Sequence, residues 1–188
     1  MLPPVSLRQW TERDLDPFVD LNSDPEVMRF FPRPLTRAET EASFLRFSRH
    51  IDGHGWGLWV VDVEDQFAGF CGLARPTFDA PFMPCVEVGW RLRRCYWGRG
   101  IGLSAATQAV AYGFDQLRLP ELVSFTSPLN RRSIALMERL GFNHEPEFDF
   151  LHPRLEEGHP LCPHVFYRKR ASSRILPAGI SGHRPSPG

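Results

Sequence analysis

Residues 98–102 read Gly-Arg-Gly-Ile-Gly, and the alanine-rich stretch "LSAATQAVAYGF" follows without a break. Glycine accepts the positive backbone dihedrals of tight turns and lets the main chain approach a ligand closely. Downstream, Leu103, Ala106, Val110, Phe114 and Leu117 recur at helical spacing, so a helix of about residues 100–117 begins at the glycines. A glycine turn feeding a helix N-terminus presents unsatisfied N–H groups together with the positive end of the helix dipole. That combination binds anions, phosphate above all.

What precedes the loop restricts the fold further. "WGLWVVDVED" (56–65), "QFAGFCGLARPTF" (66–78) and "CVEVGWRLRR" (85–94) are rich in Val, Phe and Trp and broken by short turns, which predicts three antiparallel strands. Ahead of them the pattern predicts a strand at 5–10 and a helix capped by Thr11 with Asp14. A second short helix starting at Pro25 and a helix over 36–51 with a Thr36–Glu39 capping box complete that half. After the loop helix come a strand at 121–127, a helix at 130–141, and a strand pair around 142–151 and 163–170. The whole is α+β, a mixed and mostly antiparallel central sheet flanked by helices. One domain over residues 1–170 precedes a flexible tail at 171–188 that is loaded with Pro, Gly and Ser.

Composition narrows the function classes. Lys+Arg and Asp+Glu are both 22 in 188 residues, and this zero formal charge argues against a nucleic-acid binder. The four cysteines form no metal-ligand spacing and read as reduced thiols of a cytoplasmic protein. No apolar run is long enough for a membrane span, and the N-terminus carries no signal-peptide pattern.

Among phosphate-binding motifs, a Walker loop would need Gly-Lys-Ser/Thr, which is absent. The run Gly100-Ile101-Gly102-Leu103-Ser104-Ala105 satisfies GxGxxG/A. However, it follows three antiparallel strands instead of opening a βαβ unit, and the only nearby acid, Glu121, begins the next strand rather than ending it. The order of "EVGWRLRR", "CYWGRGIG", the helix, "ELVSFTS" and "NRRSIALMERLGF" resembles the GNAT family of acyl-CoA N-acyltransferases. Gly100-x-Gly102 takes the last part of that family's Q/R-x-x-G-x-G/A loop, with Trp97 in place of Gln or Arg. Trp97-Gly98-x-Gly100, together with "DPEVMRFF" (24–31), is similar to its RimJ/RimL branch, named for ribosomal-protein N-terminal acetyltransferases.

The resemblance implies acetyl-CoA as acyl donor, no metal, and direct transfer to a primary amine in a ternary complex. The acceptor would be a peptide, a protein N-terminus or a small molecule, and the protein a monomer or homodimer. Coenzyme contacts fall on Trp90, Arg91, Leu92, Trp97, Gly98, Arg99, Gly100, Ile101, Gly102, Leu103, Asn130 and Met137. The pantetheine arm would pair with the backbone at Trp90–Leu92 as an added strand.

Acyl transfer also needs a base for the amine and a proton for the leaving thiolate. Glu87 is the candidate base, a carboxylate in a strand otherwise rich in Val, Gly, Trp and Leu. Many family members carry a Tyr on the late helix; here that position is Met137, which gives no proton, so Ser133 one turn earlier becomes the candidate acid. Phe30, Phe31, Trp56 and His152 are candidate acceptor contacts. An α-amine, with pKa about 7.7–8, costs about 1 kcal/mol to deprotonate at pH 7, against about 4.6 for Lys. One carboxylate therefore suits a protein N-terminal α-amine best. The alternative, given the missing Tyr, is a non-catalytic acyl-CoA-binding or sensor module.

Overall fold

The computed structural model describes residues 2–156 and 158–172; the expected tail lies outside them from residue 173 on. Its strands are β1 (Ser6–Arg8), β2 (Leu58–Val63), β3 (Gln66–Ala74), β4 (Glu87–Leu92), β5 (Glu121–Thr126), β6 (Asn143–His144), β7 (Phe150–Leu151) and β8 (Pro163–Arg170). They pair in the order β1-β2-β3-β4-β5-β8-β6, with β7 against the start of β8. All pairs are antiparallel except β4–β5, which is parallel.

Helices cover both faces. On one side lie α1 (Leu15–Ser23) and α2 (Arg37–His54), on the other α3 (Ile101–Asp115), with α4 (Arg131–Arg139) after β5. Thr36 and Glu39 close the expected capping box of α2, and Gly55 ends it with a left-handed C-cap. Thr11 and Asp14 close theirs around a single 3-10 turn that leads into α1.

Side-chain alternation assigns the faces. Leu58, Phe70, Gly89 and Arg91 look toward α1 and α2, where Trp10, Phe18, Phe47 and Phe70 form a tilted aromatic cluster. Phe18, only 1% exposed, is of the kind whose burial contributes about 1.5–3 kcal/mol. Val88 and Leu92 look toward α3, whose small residues Ala105, Ala106, Ala109 and Gly113 let it sit close to the sheet. A Cβ on Gly113 would meet Leu122 at 3.0 Å.

Two expectations are corrected. No helix starts at Pro25: the Asp24 side chain caps the Glu26 N–H, Met28 bonds back to Asp24 C=O, and the chain then turns away at Phe31. The strand expected over 142–151 is broken into β6 and β7, because Pro146 opens a 3-10 turn between them.

Candidate active site

β4 and β5 are paired at one register position, Glu87 opposite Val123. Val123 N–H donates to Val86 C=O, and the Ser124 hydroxyl donates to Val88 C=O at 2.9 Å, in place of a further backbone rung. Past that point the two strands part.

The direction of β4's backbone groups follows from its other edge. Arg93 N–H donates to Ala68 C=O, so by antiparallel alternation Arg91, Gly89 and Glu87 turn their peptide groups to β3. Val88, Trp90 and Leu92 turn theirs toward the gap. There Leu92 C=O accepts the Trp97 indole N–H at 2.8 Å. Both backbone groups of Trp90 and the N–H of Leu92 face the gap with no strand opposite, an edge ready for an extended ligand.

The glycine loop closes the same gap from the α3 side. Gly98 and Gly100 have φ of +71° and +77°, left-handed values that favour glycine. Gly100 is the N-cap of α3 and supplies no capping side chain, so the first N–H groups of the helix remain open to an anion. A Cβ on Gly102 would come within 3.4 Å of Leu92 and Leu136, which explains why the loop can lie against β4 and α4.

A cavity of about 1100 Å³ runs through the gap from one face of the sheet to the other. Trp90, Leu92, Trp97, Gly98, Gly100, Gly102, Leu103, Asn130 and Ser133 line its α3 end. Glu87, Arg91, Phe30, Phe31 and His152 line the other. Asn130 caps α4 by accepting from Ser133 N–H at 3.3 Å and donates to the Thr126 hydroxyl.

Glu87 has no hydrogen-bond or ion-pair partner among the described residues, and burial pushes its carboxyl up to about 8. The His152 imidazole is pushed down to about 4 by burial, then by His164 and Arg154, so it is neutral near pH 7. Cys71 is fully buried and its thiol is raised to about 12 by that burial, the state of a packing residue and not a nucleophile. Among the described residues no three His, Cys, Asp or Glu side chains come together to hold a metal. Nor is any described helix long and apolar enough to cross a membrane.

Several expected residues stand elsewhere. Met137 is 0% exposed and packs in the core, because α4 turns its neighbour Leu136 to the cavity. Trp56 is also buried; it carries Arg75 over its ring at 5.6 Å, and Arg75 reaches the cavity instead. The Ile101 side chain is in the core while its backbone remains part of the glycine loop, and Arg99 stands in that loop, exposed beside Tyr96. Arg91 does not reach toward the glycine loop: its guanidinium lies on the α1 face, donating to Asn22 Oδ1 at 2.5 Å and stacking on Phe31 at 4.1 Å. Sequence reasoning missed Tyr96, Ser124 and Phe125, all in the cavity wall. Phe125 was accessible from alternation, since it lies two residues after the Glu87 partner Val123 on β5.

The model of the acetyltransferase (GNAT) domain matches residues 5–143. The chain belongs to the GNAT acetyltransferase family. A solved acetyltransferase from Agrobacterium tumefaciens has the same fold, with a TM-score of 0.70 and 26% identity over 89% of this chain and 91% of that one. The FsC-acetyl coenzyme A-N(2)-transacetylase of Aspergillus fumigatus is 33% identical over 149 residues, which cover 73% of this chain but only 63% of that protein. The spermidine N(1)-acetyltransferase of Escherichia coli is 28% identical over 152 residues, 76% of this chain and 75% of that protein.

Proposed function

We propose that the protein transfers an acetyl group from acetyl-CoA directly to a primary amine, with Glu87 as the base. The observation that carries this reading is the junction at Glu87: a carboxyl with no partner among the described residues sits where β4 and β5 part, in one cavity with the open edge of Trp90 and the N-terminus of α3. The residues fit the donor. The α3 N–H groups and the Gly98–Gly102 backbone suit its phosphates, and the Trp90 and Leu92 peptide groups suit the amides of its pantetheine arm. Bound there, acetyl-CoA supplies an activated acyl carbon.

The chain's own residues do the rest. Glu87, with its carboxyl near 8, takes the proton from an acceptor ammonium, directly or through one water. Its raised affinity for a proton makes it a stronger base than a solvated carboxylate. Ser133 lines the α3 end with its hydroxyl beside its capped backbone N–H, and serves the departing sulfur as hydrogen-bond donor. Holding both reactants in one cavity contributes the proximity term, worth several kcal/mol, about 7 at the low end for well-oriented pairs.

Within the family, Trp97-Gly98-x-Gly100 resembles the RimJ/RimL branch, which supports reading the acceptor as an α-amine, such as a peptide or protein N-terminus, met in the cytoplasm. Spermidine, named for the Escherichia coli relative, suits this cavity less well, because Arg29, Arg46, Arg75 and Arg91 outnumber the carboxylates Glu26 and Glu87 in its lining.

The test is thiol release from acetyl-CoA with N-terminal peptides, amino acids, polyamines and aminoglycosides, read with the product mass. Acetylated product from an amine, with initial-rate lines that intersect when both substrates are varied, is expected. Silence across the panel with acetyl-CoA bound would make the protein an acyl-CoA-binding module.

A further inference from the structure

The acceptor end of the cavity is charged on one side. Arg46, Arg75 and Arg91 line it, and no carboxylate among the described residues lies within ion-pair distance of any of them. Arg46 and Arg75 are exposed and rest on the rings of Phe47 and Trp56. Arg91 is different. Its guanidinium is held between Phe31 and Phe70, only Nη1 has a side-chain partner, and Nε is buried without one. The side chain is half-buried with no counter-charge among the described residues, and Nη2, neither buried nor bonded to a side chain, is the donor left toward the cavity. Such a cation is costly unless something else supplies the anion.

Glu87 and Arg91 share one face of β4, four residues and about 13 Å apart along the strand. Between them is Gly89, paired in register with Gly72 on β3, so the floor there carries no side chain. A Cβ at Gly89 would find nothing closer than Glu87 Oε1 and Leu58 Cδ2, both at 3.9 Å. The site is thus a hollow with the base at one end and a guanidinium at the other.

We infer that the acceptor amine carries a carboxylate, which Arg91 holds across the Gly89 hollow while the amine meets Glu87. This rests on the acetyltransferase reading above and adds the acceptor's chemical class to it. A guanidinium forks onto carboxylate oxygens, and both side chains reach inward, so the amine and the carboxylate are separated by less than the strand spacing of about 13 Å. A diamine of equal length would set an ammonium against Arg91.

The experiment measures kcat/KM by thiol release for α,ω-amino acids, and for diamines and amino alcohols of matched length. The best amino acid exceeds its matched diamine and amino alcohol by about tenfold or more. In Arg91→Gln that ratio falls to about threefold or less through the acceptor KM, and Arg91→Lys recovers part of it. Both variants disturb Asn22, so melting and acetyl-CoA affinity are recorded alongside. Should Arg91→Gln fail to fold, Arg75→Gln, which leaves Asn22 untouched, decides by lowering the same ratio by about two- to threefold. Amidated tripeptides with Asp or Asn at the second position separate the two sources of the carboxylate: preference for Asp places it on a peptide side chain, preference for free amino acids on a small molecule. Diamines turned over as well as the amino acids would overturn the inference and leave acetyl transfer standing. No thiol release with any amine would overturn both.

Discussion

Gly89 illustrates how one residue shapes this site by what it lacks. The space above it belongs to the cavity, and the fold does not require it to be empty, since an added Cβ meets only ordinary contacts at 3.9 Å. Gly89→Val should therefore fold with a melting temperature close to wild type and bind acetyl-CoA as before. The acceptor KM should rise by about tenfold, because the three carbons of the valine side chain fill part of the hollow. Titration calorimetry and steady-state kinetics separate the two effects. Gly98 and Gly100 are constrained differently, by their left-handed backbone, and that demand was legible in the sequence because a glycine-dense turn before a helix has few other uses. The role of Arg91 was not legible. Its place in sequence just ahead of the glycine loop suggested a coenzyme contact, but strand alternation turns Arg91 to the face away from α3, and Asn22 is 69 positions away in sequence.

At the scale of elements, the site depends on how firmly β4 is held on its far side, through β3 and β2 to β1. Arg8 on β1 joins these layers: it donates to both oxygens of Asp14 at 2.7 Å and through Nε to Asp62 on β2 at 2.8 Å. Asp14 is 1% exposed. Burial alone would raise its carboxyl, but bonds from Arg8 and Thr11 outweigh it and hold it below the ordinary range. A carboxyl depressed in the folded state adds stability above its unfolded pKa, and that stability is lost as pH falls through the folded value. Asp14→Asn should cost about 3 kcal/mol near neutrality, with a smaller loss in acid, measured by denaturant unfolding across pH. The elements themselves were largely legible. Capping boxes marked α1 and α2, and the alternation of Val and Phe marked β2 to β4. What failed was the helix at Pro25, because an Asp24 side-chain cap satisfies one turn as well as it starts a helix.

For the whole molecule, the sheet acts as a partition with one opening, and the opening is where β5 leaves β4. In the proposed reaction donor and acceptor enter from opposite faces and meet at Glu87, an arrangement that lets transfer proceed without a covalent protein intermediate. The sequence carried the order of strands, loop and helices that points to this plan. It did not carry the residues that the plan brings together from afar, such as Leu136 in place of Met137, or Arg75 carried on Trp56, since those depend on the rotation of a helix and the exit of a loop. The partition also has a cost. A carboxyl raised in the folded protein binds its proton more tightly there than in the unfolded chain. Stability therefore falls as pH rises from the ordinary carboxyl range through about 8. Glu87→Gln removes this and should melt higher than wild type above pH 8, with the gap closing in acid.

The pH dependence of kcat/KM for acetyl transfer, in wild type and in Glu87→Gln, decides whether Glu87 is the base. Glu87 as base requires a rise with unit slope that levels near pH 8, unmoved by His152→Asn because His152 is already neutral there, and lost with most of the activity in Glu87→Gln. A Glu87→Gln enzyme with wild-type rate and the same profile would contradict it.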